Sequence, residues 1–390
     1  MTVRTATPRL ARAINDRVAL DLLIAHGPLS APRLRELTGL SRPTVSDLLE
    51  RLGEAGLVRA VGEEGAERRG PNAKIYGLVA EHAHVAGVDV RHDAVTAVVA
   101  DLTGASVATA RRALAPGAVL QKTIRQAAAD AARRAGITLA DLHNLVIGAP
   151  GMVDPRTGGM AFPTWPVVPL PDLRELLGVP VVVENEVNLA AIAEHDTGAA
   201  RGHDDFALIW LDRGIGGATV IGGKLRRGAS GAAGELGRLP LTSGEVPDAV
   251  TCTGGFQDLA GLPAVLDLAA RHGIPGDRPS EVLDAALASG ATGFMDELAE
   301  RVAFGAASAV AVFDPGLIVL AGETGRHGGE ELAKRVAERL TGINLVRTEV
   351  RSTALSDNPI LAGAVRTALV SAHDEVFGGS GSWSPAPENG

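Results

Sequence analysis

The stretch LSRPTVSDLLERL (40–52) places short or cationic side chains at the start of a predicted helix, where they can enter the major groove of DNA. Ser41 is a candidate N-cap, and Pro43 suits the first helical turn because its missing N–H costs little there. An arginine at this end can pair with a guanine edge, and short hydroxyl side chains can reach bases or phosphates. The residues predicted to contact DNA from this helix are Ser41, Arg42, Thr44, Ser46 and Arg51.

Two preceding helices and two following strands are predicted to position that helix. Apolar residues recur every four positions along the first helix, and the joint at residues 38–41 has the spacing of a helix-turn-helix. The runs LVRAV (57–61) and KIYGLV (74–79) flank a Gly-rich turn and predict a hairpin. Three helices and a hairpin form a winged helix, which we predict over residues 1–80. Its wing would bring three cations to the DNA backbone or minor groove, namely Arg68, Arg69 and Lys74.

Charge divides the chain unevenly. Residues 1–80 carry 12 Lys and Arg against 9 Asp and Glu, whereas the rest of the chain carries 25 against 37. The division is compatible with a small nucleic-acid-binding head on an acidic body, and the net charge of −9 excludes a basic nucleic-acid coat. The alternative for the head is a three-helix protein-interaction module in which Arg42 and Arg51 lie on a solvated face.

Composition predicts a helix-rich α/β protein. The chain has 390 residues, of which 46% are apolar and 3% aromatic, and this length suggests two or three domains. Its single Cys excludes a disulfide framework and fits a reducing compartment, so we expect a cytoplasmic protein. The sequence contains no run of about 18 apolar residues and no apolar leader, so we expect neither a membrane span nor a secretion signal.

The body after residue 80 reads as two similar cycles. The runs VAGVDV and DAVTAVVADLTG form a predicted hairpin joined by Arg91 and His92, and residues 206–225 form a second hairpin around a Gly-rich turn. Two hairpin-led α/β cycles suggest an internal duplication with a cleft between two lobes. The turn at residues 212–217 has two open interpretations: its backbone N–H groups approach a phosphate, or its glycines only supply positive φ.

The stretch GIGGATVIGGKLRRGASGAAGELGR (214–238) resembles the signature of the ROK family, which groups bacterial sugar-responsive repressors with sugar kinases. Further segments support the resemblance over residues 8–375: GAPGMVD (148–154), VENEVNLAAIAEH (183–195), PGLIVLAGE (315–323) and DNPILAGAV (357–365). The head resembles the winged helix of the repressor branch.

The resemblance implies a winged helix-turn-helix followed by a two-lobed, actin-like, ribonuclease-H-type ATPase fold. The implied units are a DNA-binding domain (1–80), a first lobe (81–200), a second lobe whose final helix returns to the first (201–376), and a disordered tail (377–390).

The chain departs from the kinase branch at both catalytic motifs. The family's kinases have a D-x-G-x-T phosphate turn, where this chain has the bulky Arg91 and His92. Their general base is the Asp of N-D-x-N, which here is Glu186, and its extra methylene moves the carboxylate by about an ångström. We therefore expect no catalytic residues and no sugar phosphorylation.

The family's zinc site is also altered. The His of E-x-G-H is Arg238 here, and the Cys-rich run retains only Cys252. One Cys and an Arg cannot supply tetrahedral zinc ligation, so we expect no zinc and no other cofactor.

The resemblance also implies a sugar pocket. Carboxylate and amide groups can bind vicinal hydroxyls, and an aromatic ring either stacks on a sugar face or belongs to the core. Arg238 would bring positive charge to an anionic or larger ligand. The predicted ligand residues are Asn185, Glu186, Glu235, Arg238, Gly151 and Trp165.

Together these features predict a transcriptional repressor that binds operator DNA, forms at least a dimer, and senses a carbohydrate or related metabolite between its lobes. Ligand binding would favour one lobe arrangement and change the spacing of paired winged helices. Two alternatives remain: an active sugar kinase with a regulatory head, and a dimeric DNA-binding protein that senses nothing.

Overall fold

A computed structural model of the chain describes residues 8–64, 73–115, 117–154, 156–161, 170–240, 254–343, 347–355 and 358–378. Within these residues the first six elements form the head: α1 (Pro8–His26), β1 (Leu29–Ser30), α2 (Ala31–Thr38), α3 (Arg42–Glu54), β2 (Val58–Glu64) and β3 (Ala73–Leu78). The strands form an antiparallel sheet in the order β1-β3-β2.

The turn between α2 and α3 follows from its sequence. Gly39 ends α2 in the left-handed conformation at φ 69°, which a residue with a Cβ adopts only at a cost. Ser41 then begins α3, and its Oγ accepts a hydrogen bond from the Thr44 N–H at 3.4 Å. Because the buried residues of α3 lie on one face, its opposite face is left exposed; the buried set is Val45, Leu48, Leu49 and Leu52.

The apolar pattern of α1 does not mark its buried face. Leu10, Ile14 and Val18 are 39%, 52% and 40% exposed, whereas Leu20 and Leu23 lie in the core. Four residues turn an α-helix by about 40° more than one revolution, so a strict four-residue spacing drifts around the helix instead of following the core. The helix forms as expected, but only its second half is packed.

The body contains two lobes. The first lobe begins with a β-hairpin, a third strand and a helix, and continues with further strands and helices. Its elements are β4 (His84–Val90), β5 (Ala94–Asp101), β6 (Ser106–Ala113), α4 (Leu120–Arg134), β7 (Leu142–Ala149), β8 (Met152–Val153), β9 (Met160–Ala161), α5 (Leu170–Leu177), β10 (Val181–Asn185) and α6 (Glu186–Asp196).

The second lobe has a longer helical part, and the chain then returns to the first. Its elements are β11 (Phe206–Leu211), β12 (Ile215–Ile221), β13 (Lys224–Arg226), α7 (Gln257–Ala260), α8 (Leu262–Arg271), α9 (Pro279–Ser289), α10 (Thr292–Phe313), β14 (Leu317–Ala321), α11 (Gly322–Ile343), β15 (Glu349–Ser352) and α12 (Pro359–Val376).

The two sheets repeat one topology. Their strand orders are β6-β5-β4-β7-β10 and β13-β12-β11-β14-β15, so corresponding strands occupy corresponding places. In each sheet an antiparallel hairpin is followed by a parallel neighbour, β7 beside β4 and β14 beside β11. The internal duplication suggested by the sequence is present in the fold.

Helix α12 packs against β4, β7 and α6 of the first lobe. The packing is so close that a Cβ on Gly363 would lie 1.9 Å from the Leu189 carbonyl oxygen. Phe377, which directly follows α12, is only 4% exposed. The tail predicted to begin at residue 377 therefore begins too early, because Phe377 is part of the core; residues 379–390 lie outside the described residues.

One hydrophobic cluster runs from the head into the first lobe, from Leu20 and Leu48 through Leu102 to Leu369 and Phe377. A second cluster fills the helical side of the second lobe, and a third lies between the first-lobe sheet and α4. No helix in the described parts of the chain is long and apolar enough to cross a membrane.

Candidate functional site

The exposed face of α3 carries the predicted DNA-contacting side chains. Arg42 and Ser46 are exposed, and the Thr44 hydroxyl lies 2.8 Å from the Ser41 hydroxyl, where both remain at the surface. In the wing, Lys74 is exposed on β3. Arg68 and Arg69 lie outside the described residues. The helix therefore presents one cation, Arg42, and three hydroxyl groups at its N-terminal end.

Arg51 is held differently from the other predicted contacts. Its guanidinium donates to Asp16 Oδ1 of α1 at 2.6 Å and is also paired with Asp47 one turn back on α3. The hydrogen bond that Arg51 donates to Asp16 is the largest cause of the raised pKa of Arg51. This geometry favours a role in fixing α3 on α1 over contact with a base.

A cavity of about 360 Å³ lies between the lobes. Its charged lining combines both signs and includes Arg91, Asp212, Arg278, Glu323 and Arg326. Trp210, Thr353 and Asn358 complete much of the wall. The lining includes none of the predicted ligand residues that the structure describes, namely Asn185, Glu186, Gly151, Glu235 and Arg238. Trp165 lies outside the described residues.

Arg91 is the centre of this cleft. Its guanidinium donates to Asp89 Oδ2 at 3.2 Å and to Glu186 Oε2 at 3.4 Å, and it lies 4.0 Å from Asp212 Oδ2. It also lies over the Trp210 ring at 5.6 Å, a cation–π contact with the second lobe. Burial alone would lower the pKa of Arg91, but the three carboxylates outweigh it and the net shift is upward.

Glu186 is nearly buried, with 16% of its side chain exposed. Burial is the main cause that raises its pKa to about 7; Arg91 opposes the shift, and the carboxylates of Asp89 and Asp212 add to it. Burial likewise raises the pKa of Asp212. The cleft therefore holds more acidic groups than its one central cation can fully compensate.

In the Gly-rich turn before β12, two backbone N–H groups are bonded to side chains. The Arg213 N–H donates to Asp212 Oδ1 at 2.7 Å, and the Ile215 N–H donates to Gln257 Oε1 at 2.8 Å. These N–H groups are consequently not available to a phosphate. The interpretation that these glycines supply positive φ is wrong for Gly216 and Gly217, which are not in the positive-φ region and are required instead by close packing against Val187 and Leu236. The phosphate interpretation stays a prediction.

Asn185 and Gly151 lie together, and their contact is a structural hydrogen bond. Asn185 Nδ2 donates to the Gly151 carbonyl at 2.8 Å, and Asn185 Oδ1 accepts from the Val187 and Asn188 N–H groups at the start of α6. The amide caps a helix and ties it to the turn after β7. Its remaining capacity to bind a hydroxyl is one N–H.

Glu235 and Arg238 form a second pair, with Arg238 Nε 3.5 Å from Glu235 Oε2. The Arg side chain occupies the position that a zinc-binding His has in the resembling family, and a guanidinium is not a zinc ligand. Among the described residues no group of three or more His, Cys, Asp or Glu side chains is placed to hold a metal ion; Cys252 lies outside them.

Sequence reasoning missed two polar contacts, one between the lobes and one at the cleft. Glu184 is buried and accepts from Arg227 Nε of the second lobe at 2.7 Å, and Asn358 donates to Asp89 Oδ2 at 2.6 Å. The signals were weak, because each is an ordinary polar residue at the end of an apolar run. Only their positions immediately after strand-like runs or before a Pro suggested that they end or begin an element.

The chain matches two family models. The model of the ROK family matches residues 85–370, and that of the MarR family matches residues 17–69. The second match covers the head and the first covers the body, which confirms the predicted fold class of a winged helix followed by a ROK-type two-lobed domain.

Similar proteins include repressors and kinases. The chain is 26% identical to the xylose repressor of Bacillus subtilis (strain 168) over 60% of its own length and 62% of that protein, so it spans less than two thirds of this relative. It is 22% identical to the xylose repressor of Caldicellulosiruptor bescii, over 91% of this chain and 95% of the other. It is 35% identical to the glucokinase of Streptomyces coelicolor over 44% and 53% of the two chains.

A solved structure described as a ROK family transcriptional regulator, a homologue of the E. coli MLC protein, has a similar fold. Its TM-score is 0.74 at 18% identity, and the match covers 94% of this chain and 98% of the other. At this identity the likeness establishes the fold of head and body together.

Proposed function

The chain belongs to the ROK family, and from this membership we propose that it is a DNA-binding transcriptional repressor whose operator affinity changes when a carbohydrate or related metabolite binds its body. The observation that carries the proposal is a winged helix, with Arg42 exposed at the start of α3, attached to a ROK body whose phosphate-side groups are bonded to each other. DNA recognition by such a head needs side chains that are free to reach base edges.

The second part of the proposal is that the body does not transfer phosphate. Arg91 occupies the turn where a kinase presents bare backbone, and the Arg213 and Ile215 N–H groups bond to side chains. A pKa of about 7 would suit Glu186 as a general base, but its carboxylate is paired with Arg91. We propose further that the protein contains no zinc, since Arg238 replaces a ligand.

The effector proposed is a small neutral sugar. Two relatives carry the name xylose repressor, which makes D-xylose the first probe. Glu186 is paired with Arg91, which lines the pocket together with Asn358 and Thr353, and carboxylates and amides bind sugar hydroxyls in pairs. A ligand that contacts Glu186 competes directly with Arg91, so binding in the cleft is coupled to the ion pairs there.

Self-association is part of the same proposal. A winged helix reads a short half-site, and two copies on one duplex double the contacts while fixing the half-site spacing. We therefore propose at least a dimer on DNA. A sedimentation measurement of the free protein and of its DNA complex gives the stoichiometry.

The decisive experiment selects duplexes from a random library with the purified protein and measures affinity for the winning sequence. We expect a specific site that is bound at least a thousandfold more tightly than scrambled DNA, and D-xylose or another sugar from a panel should change that affinity. A sugar that binds the folded protein should also raise its melting temperature.

The kinase alternative has its own assay. The 35% identity to a glucokinase and the pKa of Glu186 favour testing it directly, with ATP, Mg²⁺ and D-glucose or D-xylose. We expect no sugar phosphate. Turnover at rates typical of enzymes that is lost in Glu186→Gln would contradict the proposal. Specific DNA binding that no sugar alters would favour the ligand-independent DNA-binding protein.

A further inference from the structure

One helix reaches from the interlobe cleft to the DNA-binding head. At the N-terminal end of α12, Asn358 Oδ1 accepts from the Ile360 and Leu361 N–H groups at 3.0 and 3.1 Å. Its Nδ2 donates to Asp89 Oδ2 at 2.6 Å, the same oxygen that accepts from Arg91. The start of α12 is therefore bonded to the group of ion pairs that a cleft ligand would disturb.

The other end of α12 is bonded to α1 of the head. Arg17 Nη1 donates to Asp374 Oδ1 at 2.8 Å and to the His373 carbonyl at 3.3 Å. Its guanidinium lies 5.7 Å from the centre of the Phe377 ring. Burial opposes the charge of Arg17, but the hydrogen bond to Asp374 and the charges of Asp374 and Asp21 raise its pKa overall. We call this contact set, Arg17 with Asp374 and Phe377, the α1–α12 clasp.

The C-terminal end of α12 is itself fixed to the first lobe. His373 stacks on Phe377 with ring centres 4.8 Å apart, and its buried Nε2 donates to the Leu102 carbonyl at 2.7 Å. Arg17 is held from its own side by Asp21, one turn along α1, at 3.0 Å. A buried ring, a backbone acceptor and two carboxylates thus define where the guanidinium lies.

Between its ends α12 has little freedom. Gly363 touches the backbone of Leu189, and a Cβ on Gly87 would lie 3.2 Å from the Leu361 carbonyl oxygen. An 18-residue helix is about 27 Å long and does not bend easily when it is packed on both sides. Displacement at the Asn358 end is consequently passed along the helix as a movement of the whole unit.

We propose that α12 transmits the state of the interlobe cleft to the DNA-binding head, and that Arg17 is the positioning residue that makes this coupling. The inference rests on the proposed function and deepens it by naming how the cleft regulates the head. A ligand that draws Glu186 from Arg91 changes the partners of Asp89, hence of Asn358, and the first lobe with α12 then settles differently against the second lobe. Because the α1–α12 clasp bonds α1 to α12, α1 moves with α12.

The test uses the full-length protein and a double-mutant cycle. Asn358→Asp keeps the capping oxygen but replaces the donor to Asp89 with a second carboxylate, so it perturbs the cleft end without a ligand. Arg17→Gln opens the clasp. Arg12→Gln, an exposed Arg on the same helix, is the matched control. Asp374→Asn opens the clasp from the other side.

The first readout is hydrogen exchange of the α1 peptide, which needs no DNA. We expect Asn358→Asp to change exchange in α1 by at least threefold in the wild-type and Arg12→Gln backgrounds, and by less than 1.5-fold in Arg17→Gln or Asp374→Asn. Equal responses in all four backgrounds would overturn the coupling, and so would the absence of any response to Asn358→Asp in a folded wild-type background.

The second readout is affinity for the selected operator with and without D-xylose, or with and without the Asn358→Asp change. Arg17→Gln should bind operator within about threefold of wild type but lose at least four fifths of the response, whereas Arg12→Gln should keep it. An operator-affinity response in Arg17→Gln as large as in wild type would refute the coupling but not the proposed function. A wild-type protein that binds no duplex refutes the proposed function, while the exchange measurement still decides the coupling.

Discussion

Helix α3 and the interlobe cleft contain the same kinds of polar side chain, but these side chains face solvent on α3 and face one another in the cleft. On α3 the polar groups face outward, and Arg42 and Ser46 have no structural task among the described contacts of the helix face. In the cleft the polar groups face one another, with Arg91 shared by Asp89, Glu186 and Asp212. A surface that recognises a partner keeps its donors open, whereas a site that has lost its partner satisfies them internally, because an unpaired buried charge is expensive.

The largest expected effect tests whether the cleft charges depend on each other. Arg91→Ala leaves Asp89 and Glu186 without a cation, and we expect it to lower the free energy of unfolding by about 3 kcal/mol at pH 8. Trp210, beside Arg91, gives a local fluorescence signal for denaturant titration.

The matched control for that change is Arg111→Ala, which breaks an exposed ion pair with Asp93 and should cost less than about 1 kcal/mol. Equal losses in the two variants would show that the cleft is no more interdependent than the surface.

The pH dependence of stability also tests the cleft, through the protonation of Glu186. The pKa of Glu186 is about 7 in the folded protein and lower when unfolded, so the folded state binds the extra proton between these values. Its contribution is present at low pH and is lost as pH rises through 7. From pH 5 to pH 8, wild type should therefore lose up to about 3 kcal/mol relative to Glu186→Gln.

The groups facing Glu186 are Arg91, Asp89 and Asp212, and Asp212 shifts in the same direction because it too is buried. Parallel stability curves for wild type and Glu186→Gln over this range would show that Glu186 stays ionised, and hence that Arg91 dominates its environment.

The sequence predicted α3 better than the cleft, because the contacts that form α3 are close in sequence and those that form the cleft are far apart. On α3 the cap, the proline and the apolar spacing all act within one or two turns, and the helix forms as expected. In the cleft the contact between Asn358 and Asp89 joins residues 269 positions apart, and Arg91 meets Glu186 across 95. Sequence reasoning identified Arg91 as an obstacle to phosphate, but it contained nothing to show which acids would surround it.

Errors in the head have the same origin. The exposure of Ile14 depends on where α1 ends its contact with α3 and the first lobe, and Arg51 was assigned to DNA because its partner Asp16 lies on another helix. Local rules predict which elements form; they do not predict which of two solvent-facing charges will find a partner.

The exposed face of α3 is tested by DNA binding. Arg42→Ala should weaken operator binding by about 1–3 kcal/mol, that is roughly 5- to 150-fold, and relax the preference at one base pair. Arg12→Ala, on the exposed part of α1, should change affinity less than threefold. Measurement by fluorescence anisotropy at fixed salt is essential, because the phosphate contacts of such heads depend steeply on ionic strength.

An Arg42→Ala protein with unaltered affinity and sequence preference would show that α3 is not the recognition helix. The head would then fit the three-helix protein-interaction module better, since an exposed arginine without a DNA partner is an ordinary solvated residue.

The smallest effect separates the shape of α3 from its chemistry. Ser41 caps the helix by accepting from the Thr44 N–H, so Ser41→Ala should cost about 1 kcal/mol of head stability by leaving that donor unpaired. Ser41→Asp keeps a capping acceptor and adds a negative charge that favours the helix N-terminus but repels phosphate. If Ser41 acts only as a cap, Ser41→Asp should be as stable as wild type by thermal unfolding and weaker on every duplex alike. A loss confined to the selected operator would instead place the Ser41 hydroxyl against a base, because repulsion of phosphate does not distinguish sequences.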